Sequence, residues 1–224
     1  MLYSIPLFVN TEQVLRLLGY GRRSDADDTT LDLVEKCASA IRDAASARWT
    51  YHTFSLLEPA PAEKDFMQLA GPDMERHLYG CKEVILLAVT LGSACDHLLR
   101  RTQVTDISGA VLMDACASVL AEQYADAAEE LLQAGAADEG RFLTGRFSPG
   151  YGSVPLSVQK PFIRLLNAQR AIGLTMSESG ILLPRKSITA FLGIADHPVR
   201  GALAGCESCA IKDKCDRKKC GRIQ

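Results

Sequence analysis

The chain has 224 residues, 25 basic against 27 acidic side chains for a net charge of −2, and 47% hydrophobic residues. That length can bury the core of one large domain or two small ones, and the balanced charge excludes a global field drawing the chain to nucleic acid or a membrane surface. Apolar runs such as Val84 to Val89 are far too short to span a bilayer, and residues 1–10 lack the pattern of a secretory signal, so the expected location is cytoplasmic.

Thr11 to Leu18 reads as a short helix that Asn10 or Thr11 can cap and Gly19 can end. Leu31 to Arg48 has helical spacing through Leu31, Val34, Ala38, Ile41 and Ala45 after an Asp/Thr-rich start. Trp49 to Leu57 is rich in aromatics, consistent with a strand, whereas the prolines from Pro59 to Pro72 predict a loop with little regular structure. Glu83 to Leu91 is a β-branched and leucine run between Gly80 and Gly92, predicted as a buried strand. Ser93 to Arg101 is predicted as a short helix and Ile107 to Ala134 as the longest one. Val158 to Ala171 is a further amphipathic helix with Gly173 just beyond its end. Gly180 to Leu183 and Ser187 to Ile194 read as two strands joined by Pro184-Arg185-Lys186, a segment that as a plain hairpin turn would carry solvated charges. Helices and strands mix without regular βαβ alternation, so the fold class is α+β, with a mixed or antiparallel sheet and several helices. Asp196 to Gly205 is the expected linker, dividing a domain over 1–195 from a Cys-rich tail over 196–224.

The eight cysteines form two populations. Cys37, Cys81, Cys95 and Cys116 stand singly in apolar segments, where cysteine acts as a small buried hydrophobe. Cys206, Cys209, Cys215 and Cys220 are clustered, and in a reducing compartment clustering argues for a metal over disulfides. Four thiolates at this spacing suit a tetrahedral zinc or the corners of an iron–sulfur cluster. The spacing matches neither a typical zinc finger nor the two-cluster ferredoxin run, and an unmetallated tail is the third alternative. The interleaved Lys212, Lys214, Arg217, Lys218, Lys219 and Arg222 read as solvated surface or as a patch steering an acidic partner. Without aromatics among them, nucleic acid is not the expected partner.

Two further features bear on chemistry. From Ala110 to Ala121 the long helix is small or apolar except at Asp114 and Ser118, and the four-residue step continues to Glu122 and Asp126. This stripe is either the wet face of a surface helix or, on a central helix, a set of polar groups facing a cavity or partner. Arg146-Phe-Ser-Pro-Gly-Tyr-Gly152 is either a structural turn or a ligand loop. Arg146 offers a planar fork for a carboxylate, Pro149 and Gly150 form a tight turn, and Tyr151 is an aromatic with a polar tip. No nucleophilic triad, Walker or dinucleotide fingerprint is present.

In combination these residues resemble the AdoMet-binding reactivation domain of cobalamin-dependent methionine synthase. Arg146 and Ser148-Pro149-Gly150-Tyr151 look like its AdoMet-binding loop. Ile172-Gly173, Ser177-Glu178-Ser179, Pro184 and Ser187 match the following segment in order and spacing. The stripe through Glu122 resembles the long helix that supplies the ligand-facing glutamate. The likeness covers Asp106 to Ile194 and is strongest to free-standing versions of the domain, which often carry a cysteine-rich tail.

That resemblance implies that Arg146 grips the AdoMet carboxylate, that backbone from Ser148 through Pro149 to Gly150 surrounds the ligand, and that Glu122 lies near the site. It places Tyr151 at the methyl-transfer end, facing the corrin. It implies a chain that binds S-adenosylmethionine and supports reductive methylation of cob(II)alamin on a cobalamin-binding methionine synthase core lacking this domain, as a component of the enzyme and not a complete one. Flavodoxin or ferredoxin would supply the electron; apart from the resemblance, an iron–sulfur cluster on Cys206, Cys209, Cys215 and Cys220 would relay it, replacing that donor or receiving from it. The alternative is a metal-stabilised docking protein for another corrinoid methyltransferase, without chemistry of its own. Ser153-Val154-Pro155 departs from the large synthase, and the cysteine tail has no counterpart there.

Overall fold

A computed structural model describes residues 5–20, 25–199 and 201. Cys206, Cys209, Cys215 and Cys220 lie outside the described residues, and with them the zinc and iron–sulfur expectations. The described residues contain eight α-helices and six strands in an α+β arrangement, as expected. They divide into two compact units: those of Met1–Thr50, Ala88–Leu132 and Leu166–Ile188, and those of Tyr51–Leu87, Gln133–Leu165 and Thr189–Gln224.

Helix α1 (Thr11–Leu17) begins where the Asn10 side chain accepts the Gln13 N–H at 3.1 Å. Asp27 caps α2 (Asp28–Ala44) in the same way through Thr30 N–H at 2.7 Å, so the helix starts three residues before Leu31. It stops short of Arg48 because Ala45 turns extended and Ser46 N–H bonds to Leu91 O, which leads the chain into β1 (Arg48–Ser55).

The segment expected as a loop holds two helices, α3 (Pro61–Gln68) and α4 (Pro72–His77). Both prolines occupy the first helical position, where a missing N–H costs nothing and a fixed φ favours the helix. Glu63 secures α3 by accepting the Ala60 N–H at 2.8 Å. Strand β2 (Glu83–Thr90) is buried at all but its first residue. Helix α5 (Ser93–Thr105) outlasts Arg101, and α6 (Ile107–Asp138) is the longest element.

After the short β3 (Phe142–Leu143) and a 3-10 turn at Leu156–Val158, the single helix expected to Ala171 is two: α7 (Gln159–Leu165) and α8 (Ala168–Ile172). The break is Asn167, left-handed at φ 49°, a conformation asparagine tolerates better than most side chains. Gly173 ends α8, as expected.

The strand joined to β6 by Pro184-Arg185-Lys186 is not its hairpin partner. Strand β5 (Leu182–Leu183) pairs instead with β4 (Thr175–Met176), around a turn in which Ser177 N–H bonds to Ile181 O. Strand β6 (Ser187–Ala195) belongs to a four-stranded antiparallel sheet in the order β1-β2-β6-β3.

In the first unit α1, α2, α5 and α6 share a core that includes Val14, Leu15, Val34, Ile41, Leu99 and Leu120. In the second, Phe66, Phe162 and Phe191 meet with ring centroids 5.1 to 6.0 Å apart, an edge-and-face cluster that favours one packing over alternatives. The single cysteines behave as expected of buried hydrophobes: Cys37, Cys95 and Cys116 are buried in the first unit and Cys81 is half-buried in the second. Burial pushes the Cys95 thiol up to about 11 and that of Cys116 to about 12. Since the thiolate is the nucleophile, mass-mapped alkylation of the native chain at pH 8 should leave both unlabelled, with full labelling after denaturation.

Candidate functional site

The candidate loop is built outward from β6. Strand β3 pairs with it in the register Phe142↔Ala195 and Leu143↔Ile194. The contact continues past the strand: Thr144 N–H donates to Gly193 O at 3.0 Å, and Phe147 and Phe191 exchange both backbone bonds at 3.0 and 2.8 Å. The buried Thr144 hydroxyl ties three groups together. It accepts the Gly193 N–H at 2.8 Å, lies 3.1 Å from Gly145 O, and lies 3.0 Å from His77 Nε2. A hydroxyl has one proton; given to the carbonyl, it leaves His77 to donate from Nε2. The His77 ring packs on Phe147 at 5.1 Å. Gly193 is needed for space, because a Cβ there would meet Cys81 Sγ. Half-buried Arg146 therefore leaves from a stretch held on either side of it.

Beyond Phe147 the chain folds into two consecutive turns, Tyr151 N–H to Ser148 O at 3.2 Å and Val154 N–H to Tyr151 O at 3.1 Å, closed by Gly150 N–H to Val154 O at 2.9 Å. Gly150 and Gly152 have φ of 90° and 53°, values that L side chains rarely adopt. Pro149 and Val154 are buried, Ser148 is half-buried, and Tyr151 is 57% exposed. The loop is pinned at Ser153, whose N–H donates to Asp73 Oδ2 at 2.6 Å while its Oγ accepts the Asp73 N–H at 3.0 Å.

In the first unit the polar stripe of α6 is partly neutralised. Lys186 Nζ lies 2.8 Å from Asp114 Oδ1 and 2.8 Å from Ser118 Oγ, and its side chain is 14% exposed. The expectation that Pro184-Arg185-Lys186 carries solvated charges thus fails at Lys186. The segment is drawn inward because Asp96 Oδ2 accepts the Arg185 N–H at 2.8 Å and Leu91 N–H bonds to Lys186 O. Glu122 is half-buried one turn beyond Ser118. A cavity of about 290 Å³ lies against α6, lined by Phe8, Gln13, Leu120, Gln123, Asp126 and Glu130 among others, but not by Glu122.

The structure thus places Arg146, Ser148, Pro149, Gly150 and Tyr151 together on one loop of the second unit and Glu122 in the first. Sequence reasoning misses Asp73, Thr144 and Lys186 as supports for these residues. Gly71-Pro72-Asp73 carries a helix-start signal, whereas nothing local marks Thr144 or Lys186. Among the described residues no group of three or more His, Cys, Asp or Glu side chains is placed to hold a metal ion, and no helix is long and apolar enough to cross a membrane.

Lys186→Met keeps the apolar stem and removes the donor shared by Asp114 and Ser118. Urea denaturation should show a loss of roughly 1–3 kcal/mol.

Comparison with known proteins bears on the whole arrangement. The crystal structure of the MetH reactivation domain bound to AdoHcy matches with a TM-score of 0.59 and 15% identity, covering 82% of this chain and 74% of that chain, so the two share a fold. No curated protein matches the chain. The family described as "Vitamin B12 dependent methionine synthase, activation domain" matches residues 58–219, a span that contains the loop, the stripe and most of the cysteine tail. Matched over most of its length, the chain belongs to that activation-domain family.

Proposed function

We propose that this chain binds S-adenosylmethionine and presents it to cob(II)alamin held by a separate methionine synthase core, restoring methylcobalamin. Membership of the activation-domain family over a span that includes Arg146 to Tyr151 is the observation that carries this reading. The ligand's chemistry fits the residues present. A carboxylate suits the bidentate fork of Arg146, and the sulfonium and adenine suit an aromatic such as Tyr151. Backbone of Ser148, Pro149 and Gly150 lines the ligand, and exposed Tyr151 stands at the methyl-transfer end. Bound AdoMet would supply its methyl group to cob(I)alamin, formed from cob(II)alamin by one electron from flavodoxin or ferredoxin, with the S–CH3 bond breaking and S-adenosylhomocysteine leaving. The task of the chain is positioning, so that methyl and cobalt meet in line.

Two experiments test this. In calorimetry Arg146→Ala should weaken AdoMet binding about tenfold or more, and an unchanged Kd would remove Arg146 from the site. Mixing the chain with AdoMet, a reductant and an inactive cob(II)alamin synthase core should yield the methylcobalamin spectrum. A chain that binds AdoMet but leaves the core inactive would favour a docking role on another corrinoid protein.

We also infer that Cys206, Cys209, Cys215 and Cys220 hold a metal centre, with an iron–sulfur cluster able to relay the electron and zinc able only to brace the tail. Anaerobic purification with iron, sulfide and zinc analysis distinguishes the two. Zinc without a visible chromophore would exclude the relay.

A further inference from the structure

We propose that Asp73 is a positioning residue for the ligand loop, holding the turn that carries Tyr151 through a reciprocal clasp with Ser153. The proposal rests on the AdoMet reading above. The two residues are 80 apart in sequence and exchange two hydrogen bonds, Ser153 N–H to Asp73 Oδ2 at 2.6 Å and Asp73 N–H to Ser153 Oγ at 3.0 Å. The approach is close at both ends. A Cβ on Gly152 would collide with Asp73 Oδ2, and one on Gly71 would stand 3.2 Å from Ser153 O. Both glycines have positive φ, so neither position readily takes a side chain.

The clasp serves both partners. Helix α4 starts after Gly71, which has no side chain with which to cap it, and the Ser153 hydroxyl takes up the orphan N–H of Asp73. In return the Asp73 carboxylate, itself paired with Arg76, anchors the end of the double turn. Accepting the Ser153 N–H is the largest influence holding the Asp73 carboxyl below its ordinary range. With more than half of its surface exposed, Tyr151 has little side-chain packing to fix it, so its position follows the backbone. Asp73 is what makes Ser153 an anchor.

The test measures amide hydrogen exchange and AdoMet affinity on the full chain. Asp73→Ala should speed exchange about tenfold at residues 150–154 and weaken AdoMet binding by a similar factor, with β2 and β6 protection unchanged. Asp73→Asn, whose amide oxygen still accepts the Ser153 N–H, should recover most of both effects. Ser153→Ala, which removes only the hydroxyl, gives an intermediate result and serves if Asp73→Ala does not fold.

Unaltered loop exchange in Asp73→Ala overturns the clasp. Faster exchange with unaltered affinity, where Arg146→Ala abolishes binding, overturns the positioning role and leaves the AdoMet reading standing. An unmodified chain that fails to bind AdoMet overturns that reading by itself, while exchange still decides whether Asp73 holds the loop.

Discussion

The segment from Phe142 to Phe147 holds its place because it runs in register with β6, Phe142 opposite Ala195 and Leu143 opposite Ile194, and beyond β3 bonds its backbone to Gly193 and Phe191. Buried backbone donors and acceptors must find partners, and here the partners come from a strand whose last seven residues are all buried. A slip of one residue would turn every side chain of β6 to the opposite face. It would also separate the Thr144 hydroxyl from the Gly193 N–H. The register of one strand therefore sets where Arg146 stands and in which direction the following loop departs.

A different kind of restraint governs the stripe on α6. The Pro184–Ser187 turn is fixed by Asp96 at Arg185 N–H, by Leu91 at Lys186 O, and by the Ser187 hydroxyl, 2.8 Å from Thr90 Oγ1 and 2.7 Å from Pro184 O. Each bond is modest, but together they deliver one ammonium group to Asp114 and Ser118. The acidic character of the helix is thereby reduced at one end, and Glu122 stands a turn further on. Ser187, noted in the sequence as part of a family pattern, acts as a bracket for that turn.

Much of this organisation was legible in the sequence, and its omissions have physical causes. Asn10 and Gly173 act locally, so the ends they define could be read directly, whereas in the Asp/Thr-rich stretch before Leu31 several residues can cap and only the structure singles out Asp27. Pro61 and Pro72 read locally as interruptions, although proline at a first helical position is a beginning; at Pro61 the distinction lies in Glu63 reaching back to Ala60. Asn167 splits one expected helix because tertiary packing selects a left-handed backbone that periodicity does not register. Strand β5 was assigned the wrong neighbour, since a two-residue strand has almost no pattern and its pairing with β4 depends on Ser177 and Gly180. The candidate loop from Arg146 to Gly152 was visible as composition, but its supports were not. Thr144, Asp73 and Lys186 act over separations of 49, 80 and 68 residues, beyond the reach of any local pattern.

The borrowed cap on α4 has a consequence for the order in which the chain acquires structure. A six-residue helix is too short to persist alone in water, and this one lacks a side-chain cap of its own. While the chain is being synthesised, residues 72–77 emerge well before Ser153, and until then the orphan amide of Asp73 has only solvent to bond. Forming the clasp requires closing a loop of 80 residues, with its entropic cost. The loop around Ser153 and a helix distant in sequence are thus tied to one another, and a change in either is felt by the other.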